Sequence, residues 1–177
     1  MSHMLSLTMN DAAAEALVLA GGTVLAPPGG LAPGLRGLLA EGITRRGEVL
    51  TWAKSAGDAG GAPSFFGHLT GWESADSSFH LEDYVPVDVR ITDDAPQISE
   101  RDQRILLLHG ITFAMEFRRL VTRLDRPGPV RCIIGANETN ATFRFHQIRA
   151  GESWHNPDLD SYRMDKMVVI DLKPADS

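Results

Sequence analysis

The clearest periodic pattern in the chain lies between residues 99 and 124, where apolar or small residues recur at alternating spacings of four and three. These residues are Leu106, Gly110, Phe113, Phe117, Leu120 and Leu124. The spacing places them on one face of an α-helix, which we expect to pack against a core along most of its length. Ser99 is a suitable N-cap, and Asp102 stands where a capping-box acid is found. His109 falls on the opposite, polar face, so we expect it to be solvated.

An alternating pattern predicts β-structure after the Pro-Gly-Pro sequence at 127–129. Three extended runs follow, the first two joined by a turn that contains Asn, and they cover 130–135, 141–149 and 167–172. Within the second run, Phe143 and Phe145 face one side of the strand, while Arg144 and His146 face the other. These elements predict an α+β fold, in which an antiparallel sheet with a C-terminal hairpin and a final strand packs against one long amphipathic helix.

Weaker patterns in the N-terminal half predict two short helices and three short strands. The helices cover 11–20 and 35–43, and the strands cover 47–53, 79–84 and 86–91. Glycine and proline are frequent in 21–34, which favours a loop. We therefore expect residues 1–34 to form a mobile N-terminal arm with a short helix, and residues 35–177 to form a single α+β domain.

Charge is distributed unevenly along the chain. Residues 55–100 carry nine acids and one base, whereas residues 101–149 carry nine arginines and four acids, so the net charge of −6 combines a −8 segment with a +5 segment. The acidic balance argues against nucleic acid and anionic membranes as partners, because both attract basic surfaces. No stretch is long enough for a transmembrane helix, and the single cysteine, Cys132, fits a reducing compartment. We expect a cytoplasmic protein in which Cys132 is buried and unreactive.

The acidic segment also carries large aromatic residues, and this combination is typical of protein interfaces, where aromatic anchors supply affinity and carboxylates attract a basic partner. The predicted contact residues are the anchors Trp72 and Tyr84 with the acids Glu73, Asp76, Glu82 and Asp83. The alternative is that the aromatics belong to the core and the acids to a solvated rim. The short, acidic, single-domain profile is similar to that of bacterial immunity proteins that neutralise basic toxin nucleases. We predict a small acidic protein-binding domain that occludes a basic partner.

Two other function classes stay open. The first is a metal-dependent or hydrolytic enzyme, for which the candidate residues are His80 with Glu82 and His146 with His155. A zinc or iron site needs three or four converging ligands, and the spacing of these residues does not enforce convergence, so we expect no cofactor. The second is a homodimer, in which the acidic segment of one copy contacts the arginine-rich helix of another.

Overall fold

A five-stranded antiparallel sheet with one long helix across one of its faces forms the centre of the protein. The computed structural model describes residues 4–19, 26–55, 57 and 68–174. In these ranges the strands are β1 (Met4–Met9), β2 (Ile43–Arg46), β3 (Val49–Trp52), β4 (Phe79–His80), β5 (Val89–Thr92), β6 (Ala95–Ile98), β7 (Val130–Ala136), β8 (Ala141–Gln147) and β9 (Lys166–Lys173). The helices are α1 (Asp11–Leu19), α2 (Pro33–Glu41), α3 (Leu69–Ser77) and α4 (Glu100–Thr122). The sheet order is β1-β9-β7-β8-β4 with antiparallel neighbours, which confirms the predicted α+β class.

The long helix α4 begins and packs as its sequence pattern predicts. The hydroxyl of Ser99 accepts a hydrogen bond from the backbone N–H of Asp102 at 3.1 Å and caps the first turn. Gly110 lies where the helix approaches β7, and a Cβ at this position would lie only 2.8 Å from Cγ2 of Ile134. A larger residue would therefore hold the helix away from the sheet. No helix of the described ranges is long and apolar enough to cross a membrane.

Aromatic rings fill the layer between α4 and the sheet. The rings in mutual contact are those of Trp52, Phe79, Phe113, Phe117, Phe143 and Phe145. The predicted alternation along β8 is correct, since Phe143 and Phe145 point into this layer. Cys132 is also fully buried there, and burial raises the pKa of its thiol, so it packs as a small apolar side chain.

His109 departs from the predicted polar face of α4. Its side chain is buried, because the segment at Leu31 and Ala32 covers it, and the backbone N–H of Ala32 donates to Nδ1 at 3.3 Å. Burial lowers the pKa of His109, which favours the neutral imidazole that this hydrogen bond requires.

Residues 4–19, which lie within the expected N-terminal arm, pack on the main fold. The predicted helix is present as α1, but β1 was not predicted; it pairs with β9 from Met4 opposite Lys173 to Met9 opposite Val168. The alternating residues Leu5, Leu7 and Met9 pack against the core, as do the buried residues of α1. This burial holds both elements on the domain. Residues 20–25 lie outside the described ranges.

The acidic segment folds differently from the expected pair of strands. Its first described element is the helix α3, followed by the two-residue strand β4, a 3₁₀ turn over Leu81–Asp83 and the separate β5–β6 hairpin. Polar side chains of α3 face inward, and the hydroxyl of Ser77 bonds both the N–H and the carbonyl of Phe145, at 2.8 and 2.9 Å. The helix therefore depends on bonds to the sheet more than on an apolar face of its own.

Candidate ligand-binding site

The face of the sheet opposite α4 carries a mixed group of charged, aromatic and apolar side chains. The register of the three central strands arranges them in cross-strand rows. The rows, written β9–β7–β8, are Asp171–Arg131–His146, Val169–Ile133–Arg144 and Met167–Gly135–Thr142. Because side chains alternate along each strand, all nine positions share this outer face.

The segment between β8 and β9 covers part of this face. Leu159 and Tyr162 from this segment pack on the apolar side chains of Ile133, Met167 and Val169. Its polar composition suggests an exposed loop, but this segment, residues 148–165, lies over the two rows that contain Ile133 and Gly135. We call it the roof of the outer face.

Asn10, directly after β1, fixes the position of this roof. Its side-chain amide is buried and donates to the carbonyls of Leu159 at 3.3 Å and Asp165 at 2.8 Å. Its oxygen accepts from the backbone N–H groups of Met167 and Ala13, each at 3.0 Å. One buried side chain therefore links the N-terminal strand, helix α1 and the roof.

A pocket of about 460 Å³ lies between the roof and the sheet. Its lining consists of Ile133, Gly135, Asn140, Thr142, Arg144, Trp154, His155, Tyr162, Asp165 and Met167. Gly135 leaves room for the side chain of Met167, because a Cβ at residue 135 would lie 3.1 Å from the sulfur of Met167. A pocket of this size with a few polar groups on an apolar floor is typical of small-molecule sites.

Arg144 is the principal charge in the pocket. Its guanidinium lies 5.3 Å from the ring centroid of Trp154, and burial lowers its pKa. In the part of the chain that the structure describes, no carboxylate forms an ion pair with it. The neighbouring Arg131 differs, because Asp171 accepts two hydrogen bonds from it at 2.6 and 2.8 Å. Arg144 is therefore a half-buried cation that lacks a counter-ion among the described residues.

Two histidines lie close to this charge. His146 is almost fully buried, with Nδ1 2.7 Å from the carbonyl of Gln147, and its Nε2 has no hydrogen-bond partner among the described residues. Nδ1 of His155, which lines the pocket, is likewise without a described partner. Burial lowers the pKa of both rings, and the positive charge of Arg131 lowers both further. Both imidazoles are therefore held in the neutral form.

The residues proposed for a metal-dependent enzyme separate into two places. His80 and Glu82 lie at the edge of the sheet formed by β4, where Nδ1 of His80 is 2.9 Å from Oε1 of Glu82. His146 and His155 lie on the outer face of the sheet. Across the described ranges, no group of three or more His, Cys, Asp or Glu side chains is placed to hold a metal ion. Each pair thus supplies two of the three or four ligands that such a site requires.

The predicted contact residues on α3 are mostly internal. Trp72 is 6% exposed and Glu73 is fully buried, because α3 turns these side chains toward β3 and β8. Asp76 is half-buried and accepts a hydrogen bond from the hydroxyl of Thr51 at 2.6 Å. The predicted anchor and its neighbouring acid are therefore not available to a partner in this conformation.

The predicted contact residues after α3 are only partly accessible. The carboxylate of Glu82 is 11% exposed and accepts from the backbone N–H of Ala141 at 2.9 Å. Tyr84 is half-buried against Phe79, with ring centroids 5.2 Å apart, and Asp83 is exposed. Of the six predicted residues, Asp83 alone is classed as exposed.

The pocket residues Arg144, Trp154 and Tyr162 were not predicted as site residues. The alternation in β8 does place Arg144 on the same face as Thr142 and His146, so the sequence held part of the signal. The sequence of the covering segment gave no such indication, because the path of this segment over the sheet depends on hydrogen bonds to Asn10.

Comparison with known proteins gives one family match. It covers residues 28–176 and therefore includes the whole pocket, while β1 and α1 precede it. Neither the curated proteins nor the solved structures give a match. Because the match spans most of the chain, this protein belongs to the Uncharacterized protein PM0498 family.

Proposed function

We propose that this protein is a ligand-binding domain whose outer-face pocket takes a small anionic molecule. The observation that carries the proposal is Arg144, a half-buried guanidinium with no carboxylate partner among the described residues. Removing a charge from water costs free energy unless an opposite charge or hydrogen bonds compensate. A bound carboxylate or phosphate would supply both through charge-assisted hydrogen bonds.

The surroundings of Arg144 favour anion binding over a purely structural role. Cζ of Arg144 lies over the Trp154 ring, 5.3 Å from its centroid, a cation–π contact that favours the charged guanidinium without neutralising it. His155 adds a ring nitrogen at the same end of the pocket. The neighbouring guanidinium of Arg131 is already paired with Asp171, so Arg144 is the cation that a ligand would contact.

The proposal is tested by calorimetric titration with inorganic phosphate, sulfate and citrate at constant ionic strength. We expect saturable binding to the wild type and a loss of at least tenfold in affinity for Arg144→Gln, because a truncated partner in a buried charge pair costs about 2–5 kcal/mol. Arg118→Gln is the matched control, since Arg118 is an exposed arginine on α4. Absence of binding by all three anions, or equal binding by the Arg144 variant, would refute the proposal.

We propose, as a second function, that the protein binds a basic protein through the β5–β6 hairpin. Its turn carries Asp93 and Asp94, both exposed and with positive φ angles of 50° and 61°, and Ile91 beside them is 70% exposed. An apolar side chain next to two carboxylates suits a basic, partly apolar contact surface.

The second proposal is tested by capture from a lysate of the native host with the wild type and with Asp93→Lys/Asp94→Lys. Supporting evidence is a captured protein that is lost with the variant and with rising salt, because screening weakens charge-driven contacts. Equal capture by both forms would show that the hairpin is not the contact surface.

A further inference from the structure

The outer-face pocket has two chemically different ends. Arg144, with the Trp154 ring 5.3 Å away, and His155, which the charge of Arg131 reaches, lie toward the Arg131–His146 row. Thr142, Asn140 and Asp165 lie toward the turn between β7 and β8, where Asp165 bonds Asn137. We infer that the ligand is a hydroxylated anion of the sugar phosphate or sugar acid class, with its charge on Arg144 and its hydroxyls toward Thr142 and Asp165. This inference rests on the proposed anion-binding function.

The carboxylate of Asp165 determines how the ligand must be oriented. Its Oδ1 accepts from the side-chain amide of Asn137 at 2.7 Å, and Oδ2 accepts no hydrogen bond from the residues that the structure describes. A second anionic group placed here would be repelled, whereas a hydroxyl would donate a charge-assisted hydrogen bond. The anionic group of the ligand therefore belongs at the Arg144 end.

Thr142 and Asn140 extend this hydroxyl-binding end. The hydroxyl of Thr142 lies beside Gly135, its cross-strand neighbour, 3.8 Å from where a Cβ of residue 135 would stand, and forms no hydrogen bond with the described part of the chain. The backbone N–H of Asn140 donates to Oδ1 of Asn137 within the turn, and the side-chain oxygen of Asn140 accepts no hydrogen bond from a described residue. Together with Asp165, these groups offer several acceptors to a molecule that carries several donors.

The distance between Thr142 and Arg144 and the apolar surface beside them suit a molecule of the size of a sugar. Thr142 and Arg144 are two residues apart on one strand, which places their side chains about 7 Å apart along the same face. Ile133 and Gly135 on β7 and Met167 on β9 provide an apolar surface beside these two side chains, against which the C–H face of a sugar can lie. A six-carbon sugar phosphate spans this distance.

The test compares three probes by calorimetry: inorganic phosphate, glucose 6-phosphate and glucose. We expect glucose 6-phosphate to bind at least tenfold more tightly than phosphate, and glucose to bind at least tenfold more weakly than glucose 6-phosphate. Thr142→Val removes the hydroxyl while keeping the shape of the side chain. It should weaken glucose 6-phosphate at least fivefold and leave phosphate affinity unchanged, whereas Thr8→Val, on the exposed outer side of β1, should change neither.

The possible failures of the two proposals differ. If phosphate and glucose 6-phosphate bind equally well, or Thr142→Val leaves both affinities unchanged, the hydroxylated ligand class is refuted and the anion site stands. If no anionic probe binds, the anion-binding function itself is lost.

Discussion

Replacement of Glu73 by alanine should strongly destabilise the protein, whereas replacement of the exposed Asp83 in the same segment should not. The carboxylate is fully buried and accepts four hydrogen bonds. The donors are the N–H of Leu50 at 2.6 Å, the N–H and side-chain amide of Gln147 at 3.1 and 2.8 Å, and Nη1 of Arg149 at 2.5 Å. These bonds join α3 to β3 and to the end of β8.

The expected loss follows from what the substitution leaves behind. Two backbone N–H groups, of the buried Leu50 and the part-buried Gln147, lose their acceptor, at about 1–3 kcal/mol each. Removing one partner of a buried ion pair costs about 3–5 kcal/mol, and the side chain of Arg149, 20% exposed, recovers part of its hydration. Because these contributions overlap, we expect a loss of about 4 kcal/mol. Domains of this kind have total stabilities of about 5–15 kcal/mol, so Glu73→Ala should fold but be marginally stable.

Urea unfolding followed by circular dichroism measures this loss. The midpoint should fall with an unchanged slope, because the surface exposed on unfolding stays the same. Asp83→Ala is the matched control, since this exposed acid from the same segment should change stability by no more than about 0.5 kcal/mol. The double variant Glu73→Ala/Arg149→Ala should lose less than the sum of the single variants, as interacting partners do. A loss below about 1 kcal/mol for Glu73→Ala, or strict additivity, would refute the reasoning.

Two further predictions concern protonation and packing. Burial lowers the pKa of His146 below its usual 6.5, so the unfolded chain binds more protons as the pH falls through 6.5, and thermal stability should decrease below that pH. Scanning calorimetry should show a shallower decrease for His146→Gln, whereas Val168→Ala, a buried variant without a titrating group, should lower the melting temperature while leaving the pH slope unchanged. Gly110→Ala should cost about 1–2 kcal/mol, because overpacking against Ile134 outweighs the gain in helix propensity. Gly37→Ala in α2, where a Cβ meets nothing within 4 Å, should instead stabilise by about 0.5–1 kcal/mol in the same urea assay, and equal effects at the two glycines would contradict the packing argument.

The sequence predicted the elements in which apolar residues recur with the period of the element itself, about 3.6 residues for a helix and two for a strand. Helix α4, strands β7 and β8, and the final strand β9 all carry the expected periodicity, and each was found within a few residues of the predicted range. Strand β1 also alternates, through Leu5, Leu7 and Met9, but six residues followed by one short helix and a glycine-rich stretch gave no reason to prefer a strand over a mobile arm. Its partner lies at the other end of the chain.

Helix α3 could not be predicted in this way because its pattern is inverted. Glu73, Ser74 and Ser77 are buried, and Glu73 and Ser77 bond the backbone of neighbouring elements, whereas an amphipathic pattern expects apolar residues there. Charge patterning failed for the same reason, since it counts Glu73 as a surface acid. For the pocket, the sequence predicted the face on which Arg144 and His146 lie, but not the segment that covers it.

The pairing of β1 with β9 has a consequence for how the chain folds. The first and last described strands are sheet neighbours, so β1 cannot pair with β9 until residues 166–173 have left the ribosome. Until then β1 is an unpaired hydrophobic strand, and contacts between such distant segments form slowly. Synthesis of this protein therefore includes a waiting period during which its N-terminal strand is exposed to other chains, the interval in which a chaperone would have the greatest effect on yield.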